Sequence, residues 1–167
     1  MSGTSAVTGI EGTGVFDSLE ISSEQSQMEI KFAENPDVNS GMLAKSVFDI
    51  MKARNISLDM INMTYDSVLF ICPDKLSETA SMALREAGIV FSCMSGVSKF
   101  SFAGTGIKGA SGIMDSILAS FDKRKISVLR TTDSHTTISC LISSSDSDKA
   151  LEASLELGIS EDRIIRV

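Results

Sequence analysis

The order strand, helix, strand, strand, helix, strand is written twice in this chain at a spacing of about 70 residues, and few folds accommodate such a repeat. In the first copy SQMEIKF, residues 26 to 32, alternates so that Met28, Ile30 and Phe32 share one face of a strand. The period then changes. In GMLAKSVFDIMKARN, Leu43, Val47, Ile50 and Met51 recur at helical spacing and predict an amphipathic helix over 41–54. ISLDMINM returns to alternation through Ile56, Leu58 and Met60, with Asn62 continuing the same side, and VLFIC follows the turn-forming TYDS as a short apolar strand. PDKLSETASMALREAG predicts a second helix, with Leu76, Ala80, Met82, Ala83 and Ala87 inward and Gly88 as its stop. IVFSCM, 89–94, closes the copy.

The second copy begins at VSKFSFAG and passes through the glycine-rich GTGIKGASG to the helical IMDSILASFDKR, with Ile113, Ile117, Leu118 and Phe121 inward. ISVLRT and TTISCLI flank a polar turn, DKALEASLELG is a helix ended by Gly158, and RIIRV is the closing strand. Each copy reads as a split βαβ unit, a ferredoxin-like βαββαβ module with an antiparallel sheet carrying helices on one face. The fold class is α+β. The expected organisation is a leader over 1–24, whose VTGI at 7–10 adds an edge strand, then one module over 25–95 and a second over 96–167. Each module leaves a sheet face and an edge uncovered, so a homodimer is expected.

Composition narrows the partners. At 167 residues and 43% hydrophobic content the chain buries a real core, and a net charge of -7 argues against a nucleic-acid backbone as ligand. Cys72, Cys93 and Cys140 lack metal-ligand spacing and sit in apolar runs, which reads as reduced core thiols of a cytoplasmic protein. No apolar run reaches membrane-spanning length and the opening MSGTSAVTGIEGTG lacks the pattern of a signal peptide, so no membrane is expected as a partner. The methionines, among them Met28, Met51, Met60, Met82 and Met94, fall on expected apolar faces and read as core filling. No cofactor and no metal site is expected.

Two stretches carry possible chemistry. GTGIKGASG, 104–112, matches G-x-G-x-x-G, but it lies in an antiparallel context and lacks the acidic residue of a dinucleotide site. Two readings stand for it: a small-ligand loop, whose backbone donors converge on a carboxylate at the helix start, or a plain turn. In the equivalent ENPDVNSG, 34–41, Asn39 or Ser40 caps the following helix or takes part in a ligand loop. His135, the chain's single histidine, has no second imidazole to make a metal site and no marked triad partner. It lines a ligand or subunit contact, or it is an ordinary turn residue.

The runs SQMEIKFAENPDVNSGMLAKSVFDIMKARNISLDMI and VSKFSFAGTGIKGASGIMDSILASFDKRKISVLRTTDSHTTISCLI, with VTGI before them, resemble the paired ACT domains at the C-terminus of aspartate kinase. NISLDMI resembles the family's asparagine-isoleucine-asparagine-valine-aspartate-methionine-isoleucine strand, FAGTGIKGASGI its glycine-rich loop, and TTDSHTTI the version found in monofunctional kinases of spore-forming bacteria. The resemblance implies allosteric feedback control: an end-product amino acid (lysine, threonine or diaminopimelate) binds between ACT domains and inhibits phosphorylation of aspartate by ATP. Carried onto this chain, the first pocket uses Asp37, Val38, Asn39, Ser40, Gly41 and Met42 with Ser57, Asp59 and Met63. The second uses Lys108, Ala110, Ser111, Gly112 and Ile113 with Thr132, Asp133 and Ser134.

The departures fall in the first pocket. Val38 stands where the family often has aspartate, Ser57 where it has asparagine and Met63 where it has glutamine. The family's lysine-phenylalanine-glycine-glycine-threonine-serine nucleotide-binding start has no counterpart, so the chain is expected to have no catalytic residues of its own. It then works as a fragment or a regulatory subunit beside an aspartate kinase catalytic domain or subunit. An ACT-like interaction module that binds no metabolite is the alternative.

Overall fold

The computed structural model describes residues 14–108 and 110–167. VTGI at 7–10 lies outside them. The strands are β1 (Ser18–Lys31), β2 (Asp59–Met63), β3 (Ser67–Pro73), β4 (Ser92–Ala103), β5 (Val128–Asp133), β6 (Thr137–Ser143) and β7 (Ile164–Arg166). The helices are α1 (Ser40–Ala53), α2 (Asp74–Glu86), α3 (Ile113–Asp122) and α4 (Ser147–Glu156). The fold is α+β, two tandem βαββαβ-like modules with helices on one face of antiparallel sheets.

The chain divides into two compact units, Ser22–Ser98 and a C-terminal unit of 14–21 with Lys99–Val167. These boundaries differ from the expected ones because β1 and β4 each run through a division. The segment read as a separate leader supplies the start of β1 to the C-terminal unit, and the end of IVFSCM runs on into VSKFSFA as one strand. Gly96 lies between these two stretches. It adopts φ +71° within β4, a conformation that costs glycine nothing.

In the unit Ser22–Ser98 the strands are ordered β2-β3-β1-β4, with β1 antiparallel to β3 from Gln25↔Pro73 to Lys31↔Ser67. Met28, Ile30, Val68 and Phe70 meet Leu43, Val47 and Met51 of α1 and Ala80 and Leu84 of α2 in a closed core. The C-terminal unit orders its strands β5-β6-β4-β1. Its closing strand β7 pairs in parallel with Leu19–Ile21 of β1, so the start of β1 takes the place beside β4. Phe100, Phe102, Ile117, Phe121, Cys140 and Ile142 form the second core.

The repeat is close to exact in local devices. Arg54 pairs with Glu86 and Arg124 with Glu156, each a bridge from one helix end to the other helix. Asn55 and Lys125 both take positive φ after their helices, and Gly88 and Gly158 do so after the next. Every member of these pairs is 70 positions from its counterpart. Five expected core residues are instead exposed: Met82, Ala87, Met94, Leu118 and Cys93. On α2 the inward stripe is Ala80, Ala83 and Leu84 at i, i+3, i+4; Met82 falls off that stripe, and Ala87 keeps its spacing but is the C-cap, past the last turn of the helix.

Candidate functional site

The polar run between β5 and β6 is a hairpin turn stabilised by its own hydroxyl. Ser134 N–H donates to Thr137 O at 2.8 Å, and Ser134 Oγ accepts from the N–H groups of Thr136 and Thr137 at 3.3 and 3.1 Å. Thr64 repeats this between β2 and β3: its N–H donates to Ser67 O at 2.9 Å, and its Oγ1 accepts from Ser67 N–H at 3.2 Å. The turn therefore uses up the Ser134 hydroxyl. Asp133 and His135 flank it and face a cleft.

That cleft, about 340 Å³, lies between the turn, the 107–112 loop and the start of α3. Lys108, Ala110 and Gly112 line it from the loop, Ile113 and Met114 from the helix, and Asp133, Ser134 and His135 from the turn, with Ile107 and Ile138 as apolar wall. Gly112 is the N-cap of α3 at φ +80° and offers no side chain to cap it. The first-turn N–H groups of a helix have no intrahelical partners. Here they open beside Lys108, in a space that also meets the Asp133 carboxylate.

The first module resolves the same position differently. Asn39 caps α1, its Oδ1 accepting from Gly41 N–H at 3.0 Å, as one sequence reading had it. Asp59 Oδ1 accepts from Met60 N–H at 2.6 Å, where Met60 has φ +46°. Asn35 clamps the loop: its side chain accepts from Val90 N–H at 2.8 Å and donates to Val90 O and Lys31 O at 3.0 Å each. Asp37, Val38, Asn39, Ser40, Gly41, Met42, Ser57, Asp59 and Met63 are all exposed.

Of the second set of expected residues, Lys108, Ala110, Gly112, Ile113, Asp133 and Ser134 share the cleft. Ser111 is exposed outside its wall, and Thr132 is on β5 paired with Ser139. The apolar wall residues Ile107, Met114 and Ile138 were not anticipated, since nothing but their adjacency to polar loop residues marks them. Among the described residues no cluster of His, Cys, Asp or Glu is placed to hold a metal ion.

Comparison with known proteins gives this geometry a context. Residues 92–153 match the family model of the ACT domain. That stretch, β4 through most of α4, carries the ACT-domain match. The chain is 31% identical over 107 residues to aspartokinase 1 of Bacillus subtilis, a match covering 64% of this chain and 26% of that protein. The chain thus spans about a quarter of that relative's length. Among solved structures it superposes on the regulatory subunit of aspartate kinase from Thermus thermophilus with a TM-score of 0.73 at 18% identity, covering 86% of this chain and 97% of that one. It superposes on Clostridium acetobutylicum aspartate kinase with a TM-score of 0.76 at 15% identity, covering 90% of this chain and 36% of that one. The two modules here have the fold of the regulatory region of aspartate kinases, and the likeness is to that region and not to the catalytic kinase domain.

Proposed function

We infer that this chain is the regulatory part of an aspartate kinase, the enzyme that converts ATP and L-aspartate to 4-phospho-L-aspartate, and that it confers feedback control by binding an end-product amino acid. The observation that carries the reading is the uncapped start of α3, opening into a cleft that also holds Lys108 and Asp133. An α-carboxylate satisfies the free first-turn donors and gains from the helix dipole and from Lys108. Asp133 then meets the α-amine, while Ile107, Met114 and Ile138 supply an apolar wall for the side chain. Lysine, threonine and diaminopimelate are the candidate effectors.

A specific observation favours another role for the N-terminal unit. Its loop is already capped by Asn39, and it exposes Met42, Ile61, Met63 and Tyr65, with relative accessibilities of 66, 51, 60 and 94%. Ile61 and Met63 lie on edge strand β2 and Tyr65 in the turn after it, an edge that suits a second copy of the chain, so the unit is read as the homodimer contact.

Calorimetric titration with the three amino acids tests the effector reading. One of them is expected to bind, and Lys108→Ala or Asp133→Asn to weaken it about tenfold or more, since each removes a charge-assisted contact. Asn39→Ala should leave affinity within twofold. Absence of binding by all three would leave the interaction module as the surviving function. The chain alone should turn over no ATP with aspartate.

A further inference from the structure

The glycines at the start of the 104–112 loop are accounted for by a strand of chain lying against them. A Cβ at Gly104 would stand 1.9 Å from Val15 O and 3.1 Å from Phe16 Cα, and one at Gly106 3.3 Å from Val15 Cα. These neighbours are backbone, which cannot turn aside as a side chain does. Polar contacts fix the same approach: Asp17 N–H donates to Ala103 O at 2.7 Å, and Thr105 N–H donates to Asp17 Oδ2 at 3.0 Å. Phe16 is buried, its ring 5.4 Å from that of Phe102.

On its other side the same loop is tied to the cleft. Gly104 N–H donates to Thr136 O at 2.9 Å, on the turn that carries Asp133 and His135, and Ile107 N–H donates back to Gly104 O at 3.3 Å. Ile107 and Lys108 are already cleft wall. Gly104 therefore sits between the 14–17 segment and the hairpin turn, with no room to move toward either without disturbing the other.

We propose that residues 14–17 form a strap that sets the geometry of the cleft, with Asp17 as a positioning residue acting through Thr105 and Gly104. Seating of the strap and occupancy of the cleft are then one linked equilibrium, and whatever shifts the cleft shifts the strap by the same free energy. The regulatory consequence rests on the effector reading above; the mechanical link does not.

The single histidine gives a ligand-free readout, since the His135 imidazole resonance reports on the cleft without ambiguity. Asp17 is exposed, so Asp17→Ala should fold, whereas Gly104→Ala brings a backbone clash and is the harsher variant. Asp17→Ala is expected to raise amide exchange at Thr105 and Ile107 at least tenfold, to move the His135 resonance, and to leave exchange in α1 unchanged. Asp17→Asn, which keeps an oxygen acceptor for Thr105 N–H, is expected to restore both signals. An unmoved His135 resonance in Asp17→Ala, with or without faster exchange at Thr105, overturns the coupling. In a parallel titration with L-lysine, weaker binding to Asp17→Ala and recovery in Asp17→Asn support the link. Failure of L-lysine to bind wild-type protein counts against lysine as the effector and leaves the strap to be decided by exchange and the His135 signal.

Discussion

Cys72 and Cys140 sit in the floor of their modules, where burial disfavours the thiolate and pushes their pKa values up to about 11 and about 12. Cys93 is exposed on β4, against the expectation that all three are core residues, because the whole start of the strand, Ser92 to Gly96, is exposed, and an apolar neighbourhood in sequence does not say which stretch of a strand is covered. Reactivity should follow burial. At pH 8 an aromatic disulfide reagent is expected to titrate one thiol quickly and the other two only on denaturation, and Cys93→Ser should abolish the fast phase. Two fast thiols would contradict the burial. The raised thiol values also set a pH limit: they leave stability untouched below the ordinary thiol value of 9.0, and stability falls as pH rises from there towards about 12. That fall is measurable as a lower denaturation midpoint in alkaline buffer.

At the level of elements, α1 and α3 occupy equivalent places and begin by different chemistry. Asn39→Ala removes a side-chain cap and is expected to cost about 1 kcal/mol. Gly112→Ala loses no cap; it forces a side chain into φ +80° and is expected to cost about 1–2 kcal/mol in chemical denaturation. The second change should also weaken effector binding, and the first should not. The helices and hairpins were legible because each is a local pattern: Leu43, Val47 and Met51, or the Thr64 and Ser134 turns, declare themselves within a few residues. What stayed hidden is non-local. β1 runs through the polar SSEQSQ, and its pairing with Ile164–Arg166 joins segments more than a hundred residues apart. The cleft was legible in its polar residues and invisible in its wall, because Ile107, Met114 and Ile138 look like any core positions. The reason for Gly104 was not in the loop at all but in Val15.

On the scale of the whole molecule the open question is what covers β2. It is the edge strand of its unit, and an edge that exposes Ile61 and Met63, with exposed Tyr65 in the turn after it, is a template for another chain unless something blunts it. Asp59 is the one charged residue of the strand, and it stands at its start, away from Ile61 and Met63. The proposed homodimer supplies the cover, and the chain carries its own reporter, since Tyr65 is its only tyrosine and it has no tryptophan. Sedimentation at micromolar concentration should therefore give a dimer, and Tyr65 emission should change on dilution with the same midpoint. Ile61→Lys with Met63→Lys places two charges on the edge and should yield a monomer with far-ultraviolet dichroism like that of the parent, because neither side chain contributes to the unit's core. The C-terminal cleft belongs to the other unit, so effector affinity that survives in the monomer would separate ligand binding from assembly. A parent chain that sediments as a monomer, or a double variant that stays dimeric, would remove β2 from the interface.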